Sequence, residues 1–256
     1  MFDTVLYVLT ALYGLCVGSF LNVVIYRVPQ GMRIDFPASH CTSCGYKLRW
    51  YDNIPVLSYI ILGGKCRKCG EHISFRYTLV EIGNMILWLA SVLIFRENLV
   101  YAFICCAVSS VALVICCIDF EHLLIFDRFQ IILGCLGLLA VPFDKSVSHW
   151  SHLIGGIAGF GVFWLIGTVG TAVLKKDALG GGDVKLAGVM GLFLGWQKLL
   201  LALMIASILG SVILIALSAA RKEEGKEYPF GPFLTLGLVV SMLFGNGIIN
   251  AYISLF

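Results

Sequence analysis

Two aspartates stand beside long apolar stretches of this chain. Asp119 closes the run from Leu99 to Ile118, and Asp183 follows three glycines in Leu179-Gly180-Gly181-Gly182-Asp183-Val184-Lys185. An ionisable group beside hydrocarbon is costly and points to function. Two carboxylates brought together share a proton and make an acid/base pair. The chemistry this implies is that of an aspartyl protease at a membrane surface. Glu121 and Asp127 lie close to Asp119, but Asp119 alone is flush with the apolar run, where a charge is most costly. Asp127 is read as support for the site or as a cap on the next helix, and Glu121 as solvated. Gly180 and Gly182 let backbone approach backbone or substrate closely. Asp183 also suits the positive end of the helix that follows, so a glycine-rich loop with an aspartate cap is the plainer alternative. Lys185 either stabilises negative charge or anchors the chain at the interface. His122 is read as interfacial rather than as a base.

A second chemistry-bearing set is Cys41-Thr42-Ser43-Cys44 and Cys66-Arg67-Lys68-Cys69, each followed by glycine. Two such knuckles fit a tetrahedral four-thiolate zinc site, which is structural because no coordination position stays open. A reducing cytoplasm argues against two disulfides. Trp50, Tyr51, Ile54 and Val56 are expected to form a small core between the knuckles, in a segment small enough to need a metal staple. His40 and His72 flank the knuckles and are expected not to ligate. The remaining cysteines, Cys16, Cys105, Cys106, Cys116, Cys117 and Cys135, lie in apolar runs and are read as small hydrophobes.

These groups need elements to position them. The sequence is 59% hydrophobic and 13% charged, with mean hydropathy +0.94, which excludes an ordinary soluble domain. A net charge of +3 gives no reason to expect nucleic-acid binding. We expect an all-α polytopic membrane protein of about eight transmembrane helices with a small zinc-binding cytoplasmic insert. The candidate spans are 5–26, 79–95, 99–118, 129–143, 153–174, 184–194, 199–220 and 233–253; the fourth and sixth are short and polar-flanked, and only Trp196-Gln197-Lys198 keeps the sixth from fusing with the seventh. The first is read as a retained helix, since Asp3 and the lack of a basic start do not suit a signal peptide. The corresponding division is 1–28, the first helix; 29–77, the insert; and 78–256, the protease helices.

Basic residues orient the chain. With the N-terminus outside and eight spans, the cytoplasmic side holds Arg27, Arg33, Lys47, Arg49, Lys65, Arg67, Lys68, Arg76, Arg128, Lys175, Lys176, Lys185, Arg221, Lys222 and Lys226. Only Arg96, Lys145 and Lys198 of the 18 basic residues fall outside. Asp119 and Asp183 then share the cytoplasmic face. His149 and His152 fall in an external loop and are expected to be solvated.

At this point the chain resembles the bacterial type IV prepilin peptidases, leader peptidases and N-methyltransferases of type IV pili and type II secretion. The resemblance rests on Gly18-Ser19-Phe20-Leu21-Asn22-Val23-Val24-Ile25-Tyr26-Arg27-Val28-Pro29, on the two knuckles with Trp50-Tyr51-Asp52-Asn53-Ile54-Pro55-Val56-Leu57-Ser58 between them, on the G-x-G-D form of Gly180-Gly181-Gly182-Asp183, and on Tyr228-Pro229-Phe230-Gly231-Pro232-Phe233-Leu234. It implies that Asp119 and Asp183 are catalytic, that Cys41, Cys44, Cys66 and Cys69 hold metal, and that S-adenosylmethionine is a cosubstrate. It also implies prepilin or pseudopilin substrates, cut at the cytoplasmic face of the bacterial inner membrane after a glycine. Two positions depart from the family pattern: Phe126 where Ile-Pro-Asp is usual, and Thr42 where Cys-Pro-x-Cys is common. The competing classes are an ion or metal transporter with paired acids, an aspartyl protease without methyl transfer, and a zinc-stapled scaffold. Acids near mid-membrane would favour the transporter; these lie at span ends.

Overall fold

This computed structural model describes residues 2–175, 179–221 and 228–255; Lys176, Lys222 and Lys226 of the basic tally lie outside them. The described residues are helical, with no strand beyond isolated bridges. In hydrocarbon every backbone N–H and C=O must be satisfied within the segment, so apolar runs of this length fold as helices. The long ones are α1 (Phe2–Arg27), α3 (Arg76–Ile94), α4 (Leu99–His122), α6 (His149–Leu174), α8 (Trp196–Arg221) and α9 (Gly231–Ile253). Six helices are long and apolar enough to cross a membrane; this is a multi-pass membrane protein. The two short candidates are real helices, α5 (Asp127–Ala140) and α7 (Gly181–Leu194), each of 14 residues. At 1.5 Å per residue they reach about 21 Å, short of a hydrocarbon core of about 30 Å. Eight full spans are therefore not seen. The sixth and seventh segments do not fuse: Gly195, at φ 76°, turns the chain between α7 and α8.

The chain divides into two compact units, 1–96 and 97–256. In the first, α1 packs on α3. Gly18 makes this possible, because a Cβ there would stand 2.7 Å from Glu81 Cα. Asn22 Nδ2 donates to the Tyr77 carbonyl and Asn84 Nδ2 to the Gly14 carbonyl. The buried Arg27 side chain donates to the carbonyls of Arg33, Ile34 and Pro37, fastening the chain as it leaves the helix. Glu81 Oε2 accepts the amide of Val56, whose backbone is left-handed, 2.8 Å away; a short α2 (Leu57–Ile61) follows.

In the second unit α7 lies buried among α5, α6, α8 and α9. Its contact with α6 is a glycine seam. A Cβ at Gly155 would stand 2.5 Å from the Gly191 carbonyl oxygen, and one at Gly159 would collide with Ala187. Small residues let helices approach this closely without a hydrophobic drive from water. The pairing of 155 with 191 and 159 with 187 makes the helices antiparallel. Away from the seam α6 presents Ile157 and Leu165, both exposed, as suits contact with lipid.

One expectation fails here. His152 is not solvated: it sits in the first turn of α6, 1% exposed, with Nδ1 3.2 Å from the Leu192 carbonyl. His149 is exposed as expected. Lys198, one of the three basic residues counted outside, is buried: its ammonium lies 3.5 Å from Asp144 Oδ2, and both side chains are 3% exposed.

Candidate active site and metal centre

Asp119 sits in the last turn of α4, buried, and the helix runs on to His122 before Leu123 turns left-handed. Asp183 lies in the first turn of α7, whose N-cap is Gly180. Ile125 of the α4–α5 connection packs both on Gly182, next to Asp183, and on the turn that meets Asp119, so the fold brings the two aspartates to the same end of the helices. The glycines have distinct jobs. A Cβ at Gly182 would stand 2.9 Å from Ile125 Cβ, so its absence lets the α4–α5 connection press on the start of α7; a Cβ at Gly180 would meet Asp183 Oδ2 at 3.0 Å. Gln130 Nε2 donates to the Gly182 carbonyl at 3.2 Å, tying α5 to the same turn.

Lys185 and Asp127 meet each other. Lys185 Nζ donates to both Asp127 oxygens, at 2.8 and 3.0 Å, on an exposed surface. The pair clamps the first turn of α7 to the first turn of α5. Asp127 makes no N-cap hydrogen bond, and the N-cap position of α5 is Phe126. Glu121 and His122 lie 3.9 Å apart.

A partner that the sequence reading did not single out is Gly231. Its backbone N–H donates to Asp119 Oδ2 at 2.9 Å in a fully buried bond. The signal was present in the Tyr228–Leu234 string, but nothing in 112 positions of separation says that its glycine meets Asp119. Beside Asp183 a cleft of about 460 Å³ opens between Trp164, Gly167, Thr168 and Thr171 of α6 and Leu179 and Val184.

In the first unit the four knuckle cysteines converge, all sulfurs lying within 4.8 Å of one another. Cys41 Sγ is 3.8 Å from Cys69 Sγ, and Cys44 Sγ is 4.0 Å from Cys66 Sγ. A zinc tetrahedron with bonds of about 2.3 Å has sulfur–sulfur edges of roughly 3.8 Å. The knuckles are built alike. Cys41 N–H donates to the Tyr46 carbonyl and Gly45 N–H to the Cys41 carbonyl; Cys66 N–H donates to the Glu71 carbonyl and Gly70 N–H to the Cys66 carbonyl. Gly45 at φ 68° and Gly70 at φ 74° take the left-handed turns. Amides of Cys44 and Ser43 hold the Cys41 thiol down at about 6. At Cys69 the Glu71 amide acts the same way, but burial and the three facing thiols outweigh it and push the thiol up to about 12. Four thiols this close cannot all ionise without a cation among them, and the donor set fits zinc.

The expected apolar core of the insert is absent. Trp50 is 80% exposed. Its neighbour Asp52 is buried instead, accepting from Arg67 Nε at 2.7 Å, from Tyr46 Oη and from the Arg49 amide. A polar knot and a sulfur cluster hold this segment, which is what a chain too short to bury much surface can build. Nearby, Ser19, Arg27, Asp35, Ser39 and Asn53 line a cleft of about 350 Å³.

The bacterial peptidase A24 N-terminal domain matches residues 12–95, and the type IV leader peptidase family matches residues 106–215. The prepilin leader peptidase/N-methyltransferase of Pseudomonas putida is 33% identical over 264 residues, 94% of this chain and 91% of the relative. The protein of that name from Myxococcus xanthus is 38% identical, covering 87% of this chain and 69% of the relative. A third, from Dichelobacter nodosus, is 33% identical over 91% and 90%. This chain belongs to the prepilin leader peptidase/N-methyltransferase family. No solved structure matches it. Within this family chain, the A24 N-terminal match covers the cysteine cluster and the leader peptidase match covers Asp119 and Asp183; Gly231 lies beyond both matches.

Proposed function

We propose that this protein removes the leader peptide of type IV prepilins or type II secretion pseudopilins and then N-methylates the new N-terminus. The observation that carries this is the meeting of Asp119 and Asp183, from two distant motifs, at one end of a membrane helix bundle whose relatives are named for that reaction. Either ionised carboxylate can take a proton from water while its protonated partner polarises the scissile carbonyl. Gly182 lets the turn before Asp183 press on Ile125 of the α4–α5 connection, and the bare backbone of Gly180 and Gly182 leaves room for a substrate backbone. The Lys185–Asp127 clamp holds α7 in register with α5. The cleft between α6 and Leu179–Val184 offers an apolar wall to residues that follow the cut.

Zinc is held by Cys41, Cys44, Cys66 and Cys69 as a staple for the cytoplasmic segment 29–77. S-adenosylmethionine is the methyl donor, as the name of the relatives implies. The positive-inside distribution supports an inner-membrane orientation with the aspartates facing the cytoplasm.

Purified protein incubated with a prepilin, with and without S-adenosylmethionine, tests the reading by mass spectrometry. Loss of the leader in both, with one added methyl group only in the first, is the expected result; an intact prepilin rejects it. Orientation is read by single-cysteine labelling in a cysteine-free background. Cysteine at Ser148 should react with an impermeant reagent in intact cells and cysteine at Ser43 should not; the reverse pattern rejects the orientation.

A further inference from the structure

The two carboxyls in the pair differ in their hydrogen-bond partners. Asp119 Oδ2 accepts the Gly231 N–H at 2.9 Å. Asp183 Oδ1 is buried with no hydrogen-bond partner among the described residues. We infer that Gly231 is a positioning residue whose amide fixes Asp119 as the anion of the resting pair, leaving Asp183 to hold the proton. This rests on the reading of Asp119 and Asp183 as the catalytic pair.

The local build supports the assignment. Gly231 is the first residue of α9, so its N–H has no partner within the helix, and the positive end of the helix dipole points the same way. Pro232 follows and carries no competing N–H. Thr235 Oγ1 donates to the Gly231 carbonyl at 3.0 Å and holds the next peptide plane. Only glycine fits: a Cβ would stand 2.6 Å from Asp119 Oδ2, 3.0 Å from its Cγ and 3.1 Å from Ile125 Cδ1. An N–H can only donate, and its bond to a charged oxygen is roughly twice as strong as one to a neutral oxygen. A buried charge without a partner costs far more than a neutral acid without one. Both arguments put the negative charge on Asp119 and the proton on Asp183.

Other ionisable groups around Asp119 do not reverse this. α7 brings Asp183 and Lys185, and α5 brings Asp127 and Arg128. Lys185 is committed to Asp127. Tyr228 precedes α9, and α4 itself carries Cys116, Cys117, Glu121 and His122.

The hydrolysis then has a direction. Water gives a proton to Asp119 as its oxygen bonds the scissile carbonyl carbon; the carbonyl π pair moves to oxygen, which takes the proton of Asp183. On collapse the C–N bond breaks, the leaving nitrogen takes the proton from Asp119, and a hydroxyl proton of the gem-diol returns to Asp183. Each carboxyl ends in its starting state.

The test removes the N–H without adding an atom. Glycolic acid placed at position 231 by nonsense suppression, in protein made into nanodiscs, replaces the amide by an ester. The pH profile of kcat/KM for prepilin cleavage is the readout. Without the amide the anion is less favoured, so the acidic limb moves to higher pH by about one unit, and kcat falls by about tenfold. Gly231→Ala, which pushes the carboxylate off the amide, moves the limb the same way with a larger loss of kcat and little change in KM. An acidic limb unmoved in either variant, at wild-type melting temperature, overturns the inference. The Asp119→Asn and Asp183→Asn enzymes separate the two readings. If both are inactive while the limb stays put, only the role of Gly231 fails. If either cleaves at a near-normal rate, the aspartate pair itself is wrong.

Discussion

The second unit buries carboxylates at both ends and treats them in opposite ways. Tyr101 and Asp119 lie on the same helix, about 27 Å apart along its axis. At the Tyr101 end, Asp144 has a full set of partners: the Lys198 ammonium, the Tyr101 hydroxyl at 3.1 Å, and the amide and hydroxyl of Ser146. Lys198 also donates to Ser146 Oγ at 2.7 Å. Burial alone would push the Asp144 carboxyl up; the Lys198 charge and then the Ser146 and Tyr101 hydrogen bonds outweigh it and hold the group below the usual carboxylate range. At the other end Asp119 has a single amide, and one oxygen of Asp183 has nothing among the described residues. A carboxylate that holds structure is neutralised by an opposite charge. The pair proposed to exchange protons is left with its charge uncompensated, at a cost in stability.

The comparison breaks first at the aspartates. Asp119→Asn and Asp183→Asn should each lower prepilin cleavage by about 10² to 10⁴-fold while leaving the melting temperature unchanged or raised. A clear loss of stability in either variant, comparable to that of an Asp144 substitution, would show that the two ends are not treated differently. At the other end, Lys198→Met leaves Asp144 buried without its counter-charge and should destabilise by about 3–5 kcal/mol. The double variant Lys198→Met with Asp144→Leu should recover most of that, and kcat measured below its melting temperature should stay near wild type. Thermal melts of the single and double variants decide this, and equal destabilisation by both would reject the pairing.

The cysteine cluster is a third way to bury charge, with one dication among four sulfurs. Elemental analysis should find about one zinc per chain, and Cys44→Ser should lower both zinc content and protease resistance of the insert. Active protein that carries no metal and four alkylatable thiols would remove this case. The smallest effect concerns pH. The folded Asp144 carboxyl is depressed, so its contribution is present above the unfolded value of about 3.9 and fades as pH falls through the folded value. The melting-temperature difference between wild type and Asp144→Asn should be flat from pH 7 to 5 and shrink below about pH 4. A difference constant down to pH 3 would mean that Asp144 is not held as an anion.

Helices were legible where composition alone decides them. Apolar runs located all eight candidate segments, because in hydrocarbon a long uncharged stretch has one way to satisfy its backbone. The runs at 129–143 and 184–194 were already short, and α5 and α7 do fall short of a full span. The site was legible where chemistry concentrates in short strings: two knuckles, and a glycine run before an aspartate. What depends on long-range packing was not. His152 reads as a solvated loop residue, and Lys198 enters only as one of three basic residues on the outer side. They are buried because a glycine seam pulls α6 against α7 and because Asp144 waits 54 positions away. Trp50 was expected inside for its size, and Asp52 went inside because Arg67 could pair with it. The tie between Gly231 and Asp119 is set by how α9 meets α4, which no local pattern records.

The glycine seam has one more consequence. Its register places Asp183 level with about Phe163, and α6 continues to Leu174, roughly 16 Å further. Trp164, Leu165, Ile166, Val169 and Val173 keep that extension apolar and exposed. α6 therefore overhangs the start of α7, and the turn that carries Asp183 sits at the foot of an apolar wall. On the proposed reading, an apolar substrate segment would meet that wall before it met the carboxyls, and shortening α6 at this end would loosen its hold.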